Sequence, residues 1–530
     1  MFFELNIIIK KSILSLLVIL LIGCQPQKNT ENNLSTKKPN VLIIYPDQLR
    51  RYSAGFWSED PYKNHVIGKP DPIVTPNIDK LAKNGVVFTQ AISNYPLCSP
   101  NRGMLLSGMY PEQNGIWNNC RKDRDDSLKD EISTITDLFY NAGYNTSYFG
   151  KCHWLKTEPL FDGKGNYVGT NKAPGGNYVN SYDTYVPAGA ARHNIEYFFQ
   201  SLKDEHYNPH VYSNDPNTIE GKKDGELFLP KVYSPKIEAE KIVDYLQNNN
   251  TQRDSTKPFC MIWALNPPHN PWDDKNTEME VLRKYYDSDK YPKIDTSLVV
   301  RKNADLKAAQ YARNYFAAVS SADTYIAIVL NELKTMGALD NTIVILTSDH
   351  GEMLGSHGLQ GKNVLEMEAI AVPFIVHWPN RVKANINDIL LSATDILPTT
   401  MGLAGLDDKI PSEVQGTNFA NSILNPSFND DNRSDAVLLM LNNSRGVLTK
   451  RYTLCVQEEM NKGAKEELYL INSFVYDNLK DPYQLNKISL NEKPKVAKEL
   501  LTKLGKLLQK ANDPWFQKRK HDTIILYPKQ

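Results

Sequence analysis

The sequence predicts an α/β protein in which helices sandwich a large, mainly parallel sheet, with a smaller C-terminal α+β subdomain built on an antiparallel sheet. Three features predict this fold. Short continuous apolar runs are typical of parallel strands buried on both faces, the stretches between them have helical periodicity, and short alternating segments begin after about residue 435.

The first part of the chain alternates strands and helices. Residues 41–45 form a continuous apolar run and predict a strand. Thr75 and Pro76 predict the N-cap and first turn of a helix, and Gly85 follows its end. The same patterns predict a strand at 86–92, a helix at 132–139 and a strand at 146–149.

The middle of the chain, 155–255, is rich in Gly, Asn, Tyr and Asp and has weak periodicity, so we expect long loops and insertions there. Further strands are predicted at 258–265, 342–346 and 372–378, with a long helix at 306–336. In the C-terminal subdomain we expect strands at 436–441, 451–456 and 467–478 and a helix at 494–511.

The amino-acid composition excludes several classes of protein. The 530 residues include 61 Lys+Arg and 61 Asp+Glu, and 41% are hydrophobic. This excludes a disordered chain, a collagen-like repeat and a small disulfide-stapled scaffold. The net charge of +0 gives no general attraction to nucleic acid, so we expect no nucleic-acid partner and a function carried by a local site.

The N-terminus predicts export. Lys10 and Lys11 precede an apolar run, 13–22, that is shorter than the roughly 20 residues of a membrane-spanning helix and is typical of a secretory signal. The run ends at Leu-Ile-Gly-Cys24, which resembles the bacterial lipoprotein processing box. The resemblance implies a lipoprotein signal peptide over 1–23, a lipidated Cys24 and a flexible tether over 24–38.

We therefore expect an exported protein that is anchored to a bacterial membrane by its N-terminal lipid. The expected membrane is the outer membrane, with the protein on the periplasmic side or at the cell surface. The alternative is a plain signal peptide that contains Cys24 without lipidation. In either case the other cysteines number five, so any intramolecular disulfide scheme leaves at least one thiol unpaired in an exported protein.

Polar side chains follow four of the predicted buried strands. Asp47, Lys151, His269 and Asp349 each come just after the C-terminal end of a different strand. In open α/β sheets this edge is where ligands bind, so we expect the four side chains to converge. Strand ends are often polar for structural reasons alone, which is the competing explanation.

Residues 98–103, Cys-Ser-Pro-Asn-Arg-Gly, are the most informative stretch. Pro100 is typical of the first turn of a helix, so Cys98 is expected at a helix N-terminus. The free N–H groups and the helix dipole there favour an anion and predict a nucleophilic thiol with a lowered pKa. The alternative is a buried structural cysteine.

The segment also matches Cys-x-Pro-x-Arg, the signature of the type I sulfatases of the alkaline-phosphatase-like superfamily, in which the cysteine is converted to formylglycine. The chain resembles this family, in order, over nearly all of its length after the N-terminal segment. The matching segments are 40–47, 150–153, 267–269, 348–351, Lys362, 373–379, 394–399 and 468–482.

The resemblance implies a sulfuric ester hydrolase. A formylglycine at position 98 would hydrate to a gem-diol, and one hydroxyl would attack sulfur while the other later expels sulfate. A single divalent cation, expected to be Ca²⁺ from its hard ligands, would activate this group. The implied ligands are Asp47, Gln48, residue 98, Asp349 and His350. An imidazole at 350 is a poorer Ca²⁺ ligand than the Asn found in many members, so orienting a neighbour is its other possible role.

Other residues receive roles from the same resemblance. Arg102, Lys151 and Lys362 match a cationic clamp for the sulfate group. His153 matches the base that triggers sulfate release, and His269 matches the general acid for the leaving alcohol, assisted by Lys362. Taken singly, each lysine or histidine is more often a solvated or structural residue.

The resulting prediction is a catalytic sulfatase domain over 39–434 and a C-terminal subdomain over 435–530. The substrate is expected to be a sulfated oligosaccharide derived from a polysaccharide, and the implied partner is the formylglycine-generating maturation enzyme. Two alternatives remain: a phosphonate or phosphate monoester hydrolase of the same superfamily, and a non-catalytic glycan-binding lipoprotein.

Overall fold

The computed structural model describes residues 37–121, 123–156, 183–202, 206–215, 217, 223–286, 311–428, 435–457, 459–460, 468–469 and 473–517. The predictions for 1–23, for Cys24 and for most of the tether lie outside these residues. From Pro39 onward the described residues belong to one compact unit, so the predicted boundary at residue 435 remains a prediction. No helix among the described residues is long and apolar enough to span a membrane.

The main sheet is built from β1 (Asn40–Ile44), β2 (Val86–Ile92), β3 (Asn145–Gly150), β4 (Tyr197–Ser201), β5 (Val211–Ser213), β6 (Phe259–Ala264), β7 (Thr342–Leu346), β8 (Ile375–His377) and β9 (Asn385–Ser392). Within the described chain its nine strands lie in the order β5-β4-β3-β6-β1-β7-β8-β2-β9. Neighbouring strands pair in parallel except at β5 and β8. The predicted mainly parallel sheet is confirmed.

The α-helices are α1 (Pro76–Lys83), α2 (Cys98–Ser107), α3 (Pro111–Asn114), α4 (Ile135–Asn141), α5 (Ser234–Gln247), α6 (Met279–Tyr286), α7 (Ala312–Thr335), α8 (Met367–Ile370), α9 (Ile396–Leu403), α10 (Ala420–Leu424), α11 (Pro494–Lys510) and α12 (Pro514–Gln517). Short 3-10 turns lie at Gly55–Ser58, Tyr62–His65, Ala190–Arg192, Leu339–Asn341, Ala393–Asp395, Asp407–Lys409 and Leu490–Glu492.

Strand β1 shows why the sheet is covered on both faces. Leu42 and Ile44 pack in one apolar core with residues of α1, α5, α6 and α7. Val41 and Ile43 point the other way and pack with residues of α2, α4, α9 and α10. Because successive side chains of a strand alternate between faces, a continuous apolar run is what a doubly covered strand requires.

The interpretation of 155–255 as long loops and insertions is wrong at α5, β4 and β5, while most of the other described residues of this stretch lie in loops. Helix α5 lies in this stretch, and β4 extends the main sheet in parallel from β3. Helix α5 buries Ile237, Ile242 and Tyr245 at helical spacing. The polar residues between these positions obscured the period, because they lie on the exposed face of the helix. Residues 157–182 lie outside the described chain.

Helix α1 begins at the predicted position but is capped differently. Thr75 does not accept a hydrogen bond from the first turn; its hydroxyl instead donates to Asp79 at 2.9 Å. The carboxylate of Asp323, on α7, accepts from the backbone N–H groups of Asn77 and Ile78 at 3.1 and 2.7 Å. Asp323 therefore satisfies the free donors of the helix from a distant part of the chain.

The C-terminal sheet contains β10 (Ala436–Leu441), β11 (Ser444–Thr449), β12 (Tyr452–Gln457), β15 (Phe474–Asp477) and β16 (Ile488–Ser489), all antiparallel; β13 (Glu459–Met460) pairs with β14 (Leu468–Tyr469). The predicted antiparallel sheet is confirmed, although β11 was not expected. The sheet supports the loop between β2 and α2: Asn94 donates from its side chain to the Leu438 carbonyl at 2.9 Å, and its own carbonyl accepts from the Met440 N–H at 2.7 Å.

We expect Glu238→Gln to stabilise the protein at alkaline pH. Glu238 on α5 is buried and accepts a hydrogen bond from Trp263 at 2.9 Å, and its burial raises the pKa to about 7. Because this pKa is above that of the unfolded chain, the stability contributed by the protonated acid is lost as pH rises from about 4.5 through 7. The variant should gain about 1–3 kcal/mol at pH 8 and little at pH 5. Equal shifts of Tm at both pH values would contradict this.

Candidate active site

Four adjacent parallel strands deliver the polar residues that follow them to one edge of the sheet. Strands β3, β6, β1 and β7 are neighbours in this order, and they precede Lys151, His269, Asp47 and Asp349. The expected convergence is present for three of these residues: Lys151 pairs with Asp47, and both carboxylates lie on the Arg102 guanidinium. His269 joins the group through Lys362, as described below.

Cys98 is the first residue of α2 and is fully buried. Its Sγ lies 3.3 Å from Nε2 of His350 and 3.8 Å from Oδ1 of Asp47. Behind it, the Asn101 amide donates to the Ser93 hydroxyl at 2.7 Å and accepts from the Tyr45 hydroxyl. These bonds fix the first turn of α2, so position 98 faces the carboxylates.

The charges around Cys98 favour an anion. Burial by itself would raise the pKa of its thiol, but Lys151, Lys362 and His350 together lower that pKa well below the usual value. The other described cysteines lack such surroundings, and burial raises the pKa of Cys120, Cys152, Cys260 and Cys455. None of the five described cysteines forms a disulfide.

Four side chains form a group that could hold a metal ion. The ligand atoms of Asp47, Cys98, Asp349 and His350 all lie within 4.8 Å of one another, and all four residues are buried. His350 Nδ1 donates to the Gly351 carbonyl at 3.0 Å, so Nε2 is the nitrogen that faces the group. The charge of Asp349 raises the pKa of this ring although burial lowers it, and Nε2 would lose its proton on binding a metal.

The protonation of the carboxylates supports a divalent cation at this group. Burial raises the pKa of both acids, but at Asp47 the neighbouring positive charges, among them Lys151 and Arg102, outweigh it and the pKa is lowered. Burial and the charge of Asp47 raise the pKa of Asp349. The protein's own cations therefore keep Asp47 ionised, whereas Asp349 is harder to ionise beside it. A divalent metal would stabilise both carboxylates as anions, and a donor set of two carboxylates and an imidazole fits such a metal.

Two of the three predicted clamp residues are buried beside this group. Arg102 Nη2 lies 3.1 Å from Asp47 Oδ2 and 3.3 Å from Asp349 Oδ2, and Arg102 Nη1 donates to the Lys151 carbonyl at 2.8 Å. Lys151 pairs with Asp47, and the charges of Asp47 and Cys98 raise its pKa although burial lowers it. Both side chains are thus held as cations near position 98.

Lys362 and His269 form a second pair, which contacts Gln48, and Lys362 also lies near enough to Cys98 to lower the pKa of its thiol. Lys362 Nζ lies 2.9 Å from His269 Nε2 and 2.7 Å from the side-chain oxygen of Gln48. His269 Nδ1 lies 2.7 Å from the Asn270 carbonyl and donates to it, so Nε2 is the nitrogen that receives the lysine proton. The pair can carry a proton toward a ligand at this edge.

His153 follows β3 with a left-handed backbone (φ 55) and is fully buried. Burial lowers the pKa of its ring, against the opposing effect of the neighbouring Cys98. Neither ring nitrogen has a hydrogen-bond partner within the described chain. A neutral imidazole beside position 98 is suited to accept a proton.

Three supporting residues were not identified from the sequence. Tyr315, on α7, donates its hydroxyl to the Gln48 carbonyl at 2.9 Å. His206 is buried next to His269, and burial lowers its pKa to about 4. Glu352, fully buried, contacts the Gln48 amide. Glu352 directly follows a matched motif, but no signal identified Tyr315 or His206, because their contacts depend on how distant elements pack.

A cleft of about 420 Å³ opens beside Gln48. Tyr311, 40% exposed, and the largely buried Trp272 contribute aromatic surface to it. Its lining consists of Gln48, Asn270, Pro271, Trp272, Asp273, Tyr311, Gln360 and Gly361. Aromatic surface together with amide side chains is suited to a sugar ring.

We expect Asp71→Ala to destabilise the protein by about 3–5 kcal/mol, because it leaves a buried arginine unpaired. Arg50 binds Asp71 through Nε at 2.7 Å, and both side chains are buried. Arg50 also contacts the Glu352 carbonyl at 3.4 Å, which couples this pair to the site. The exposed pair of Lys450 and Asp388 offers a control, since Asp388→Ala should cost less than about 1 kcal/mol in chemical denaturation. Equal losses would contradict the argument.

Comparison with known proteins adds a family assignment for most of the chain. A family model described as Sulfatase matches residues 39–406, and one described as N-sulphoglucosamine sulphohydrolase, C-terminal, matches residues 355–512. An endo-4-O-sulfatase of Bacteroides thetaiotaomicron is 37% identical over 94% of this chain and 96% of its own. An ulvan-active sulfatase of Formosa agariphila is 29% identical over 96% of this chain and 91% of its own.

A solved structure from Bacteroides thetaiotaomicron, described in connection with the metabolism of multiple glycosaminoglycans, has the same fold. Its TM-score is 0.83 at 37% identity, covering 91% of this chain and 98% of that one. The putative sulfatase YidJ of Bacteroides fragilis gives a TM-score of 0.75 at 25% identity, covering 93% and 99% of the two chains.

Proposed function

This chain belongs to the sulfatase family, and from that premise we propose that it removes 4-O-sulfate groups from a glycosaminoglycan-type saccharide at the site around position 98. The family and its named relatives show the general activity, which is hydrolysis of the sulfuric esters of a sulfated carbohydrate. The observation that supports this location is the buried group of Asp47, Cys98, Asp349 and His350, with the cations Arg102 and Lys151 bound to it.

The family uses a formylglycine and a divalent metal. A formylglycine at position 98 supplies an oxygen nucleophile, and the metal offsets negative charge beside it. We propose Ca²⁺, since carboxylate and amide oxygens are the ligands it prefers. The residues proposed to hold it are Asp47, Gln48, residue 98, Asp349 and His350. His350 can contribute through Nε2, which faces the group and would give up its proton to the solvent when the metal binds.

The protein's own residues then divide the remaining work. Arg102 and Lys151 hold the sulfuryl oxygens from positions fixed by Asp47, and Lys362 adds a third cation from the cleft side. His153 accepts a proton while sulfate leaves. Because the site is buried, these charges act in a medium of low dielectric constant, which strengthens their effect on a developing anion.

His269 is proposed as the general acid for the leaving alcohol, with its proton supplied through Lys362. We expect His269→Ala to lower kcat by about 10²–10⁴ for a sugar sulfate, whose alkoxide needs a proton. For an aryl sulfate with an acidic phenol the loss should be less than tenfold. Measuring kcat for both substrates checks this role, and an equal loss for both would contradict it.

The proposed substrate rests on two further observations. The 37% identical relative is named an endo-4-O-sulfatase, and the cleft beside Gln48 offers the exposed ring of Tyr311 and the amide groups of Asn270 and Gln360. An endo-acting enzyme needs room for the sugars that flank the sulfated one, and this cleft supplies space next to the site.

The test is sulfate release from defined oligosaccharides that carry one sulfate each, at O4 or O6 of a hexosamine or at O2 of a uronic acid, with the sulfated sugar either internal or terminal. We expect release from an internal 4-O-sulfated hexosamine. A preference for O6 or O2, or for terminal sugars only, would reject this substrate while leaving the sulfatase activity in place.

We further propose that Cys24, which lies outside the described residues, is lipidated. The lipid would hold the exported enzyme on the outer membrane, at the cell surface or facing the periplasm. Cys24→Ala should move the protein from the membrane fraction to the soluble fraction. Conversion of Cys98 requires a formylglycine-generating enzyme as partner.

A further inference from the structure

Hydrogen bonds to the backbone hold the side chain of Glu352 in place beside Gln48. It is fully buried, and its Oε1 accepts hydrogen bonds from the backbone N–H groups of Leu354 at 3.0 Å and Gly361 at 2.6 Å. Its own backbone N–H donates to the Glu368 carbonyl at 3.0 Å. Only Oε2 remains for another partner, and it accepts from the Gln48 side-chain NH₂ group.

This contact decides which way the Gln48 amide points. A carboxylate only accepts hydrogen bonds, so the NH₂ group of Gln48 must face Glu352 and the amide oxygen must face the opposite side. On that side the oxygen accepts from Lys362 at 2.7 Å, and Lys362 in turn donates to His269 at 2.9 Å. The Gln48 backbone is held as well, since its N–H donates to Asp349 at 2.9 Å.

We propose that Glu352 is a positioning residue: it orients the Gln48 amide so that the oxygen faces Lys362 and can serve as the metal ligand proposed above. The inference rests on the metal role proposed for Gln48. In this proposal the Glu352 carboxylate determines which way the Gln48 amide points, in addition to filling space and contributing charge.

The polarity of these bonds predicts a specific defect in Glu352→Gln. Oε1 of the new glutamine must still accept from Leu354 and Gly361, so its NH₂ group would face the NH₂ group of Gln48. Two donors cannot bond, and Gln48 must turn over. Its NH₂ group then faces Lys362, which needs an acceptor there, and the oxygen proposed as a metal ligand is turned away.

The swapped pair restores the pattern. In the double variant Gln48→Glu with Glu352→Gln, the amide at 352 donates to the carboxylate at 48, which again presents an oxygen to Lys362 and the metal. The total charge equals that of the wild type. The single variant Gln48→Glu instead places two buried carboxylates in contact, so both single variants should be defective and the double variant should recover.

The experiment uses the full chain, stripped of metal with a chelator, and measures Ca²⁺ affinity by calorimetry, Tm without metal, and kcat for sulfate release. Each single variant should lose about 10–100-fold in Ca²⁺ affinity and show a lower Tm, and the double variant should recover most of both. Glu238→Gln is the matched control, because it also replaces a buried glutamate but one bonded to Trp263, away from the site. It should leave Ca²⁺ affinity and kcat unchanged.

Wild-type affinity in Glu352→Gln, or a double variant no better than the single variants in affinity and Tm, would overturn the proposal. A wild type that binds no Ca²⁺ would instead count against the proposed calcium centre, and the recovery of Tm in metal-free protein would still decide whether Glu352 orients Gln48. The two failures are therefore distinguishable.

Discussion

Replacing Cys98 with Ala is expected to lower sulfate release by about 10⁴-fold or more, because no oxygen nucleophile can form at the position that faces the buried carboxylates. The side chain removed is small, and its hydrogen bonds within the described chain go to groups of the site. The fold should therefore tolerate the change, with a cost of about 1–2 kcal/mol. Ion chromatography of released sulfate and a thermal melt measure the two effects.

Cys455→Ala provides the matched control for this variant. Cys455 is a buried thiol on β12 of the C-terminal sheet, and burial raises its pKa. Its replacement should cost similar stability and leave sulfate release unchanged. Retention of more than a few per cent of the activity in Cys98→Ala, at a wild-type Tm, would place the nucleophile elsewhere.

Removing divalent metal is expected to abolish turnover and to lower Tm by several degrees. Asp47 and Asp349 are both fully buried, and the pKa of Asp349 is raised by burial and by Asp47, so a dication is expected to stabilise the pair of carboxylates. At a Ca²⁺ concentration 100 times Kd, binding contributes about 2.7 kcal/mol to stability. Dialysis against EDTA, followed by addition of Ca²⁺, should remove and then restore both activity and Tm.

Asp349→Asn is the informative variant for this prediction. It should reduce the response of Tm to Ca²⁺ because one ligand charge is lost, while keeping the size of the side chain. Full activity in protein shown by elemental analysis to be free of metal would contradict the metal centre.

The fold was largely predictable from local patterns. Strand β7 falls at the predicted residues, and β1, β3 and β6 lie within one or two residues of them, because doubly buried strands must be continuously apolar. The same reasoning failed at α5, whose polar exposed face hides a buried stripe, and at the cap of α1. That cap comes from Asp323, 246 residues after Asn77, a distance over which sequence patterns carry no information.

Some residues of the candidate site were likewise predictable from local patterns, and others were not. Asp47, Cys98, Arg102, Lys151 and Asp349 follow strand ends or a helix start, and the parallel topology brings such positions together. Glu352 and Tyr315 contact Gln48, and His206 lies beside His269; these contacts depend on how α7 and the loops pack against the sheet. The chemical roles of all these residues remain predictions.

The most direct measurement is kcat/KM for a matched pair of substrates, a sulfate monoester and a phosphate monoester of the same alcohol, with the matured and metal-loaded enzyme. The positive charges of Arg102 and Lys151 are partly offset by the buried carboxylates of Asp47 and Asp349, so the site is expected to favour the less charged sulfate ester. We predict a higher kcat/KM for the sulfate ester, and a higher value for the phosphate ester would contradict the assignment of this site to sulfate hydrolysis.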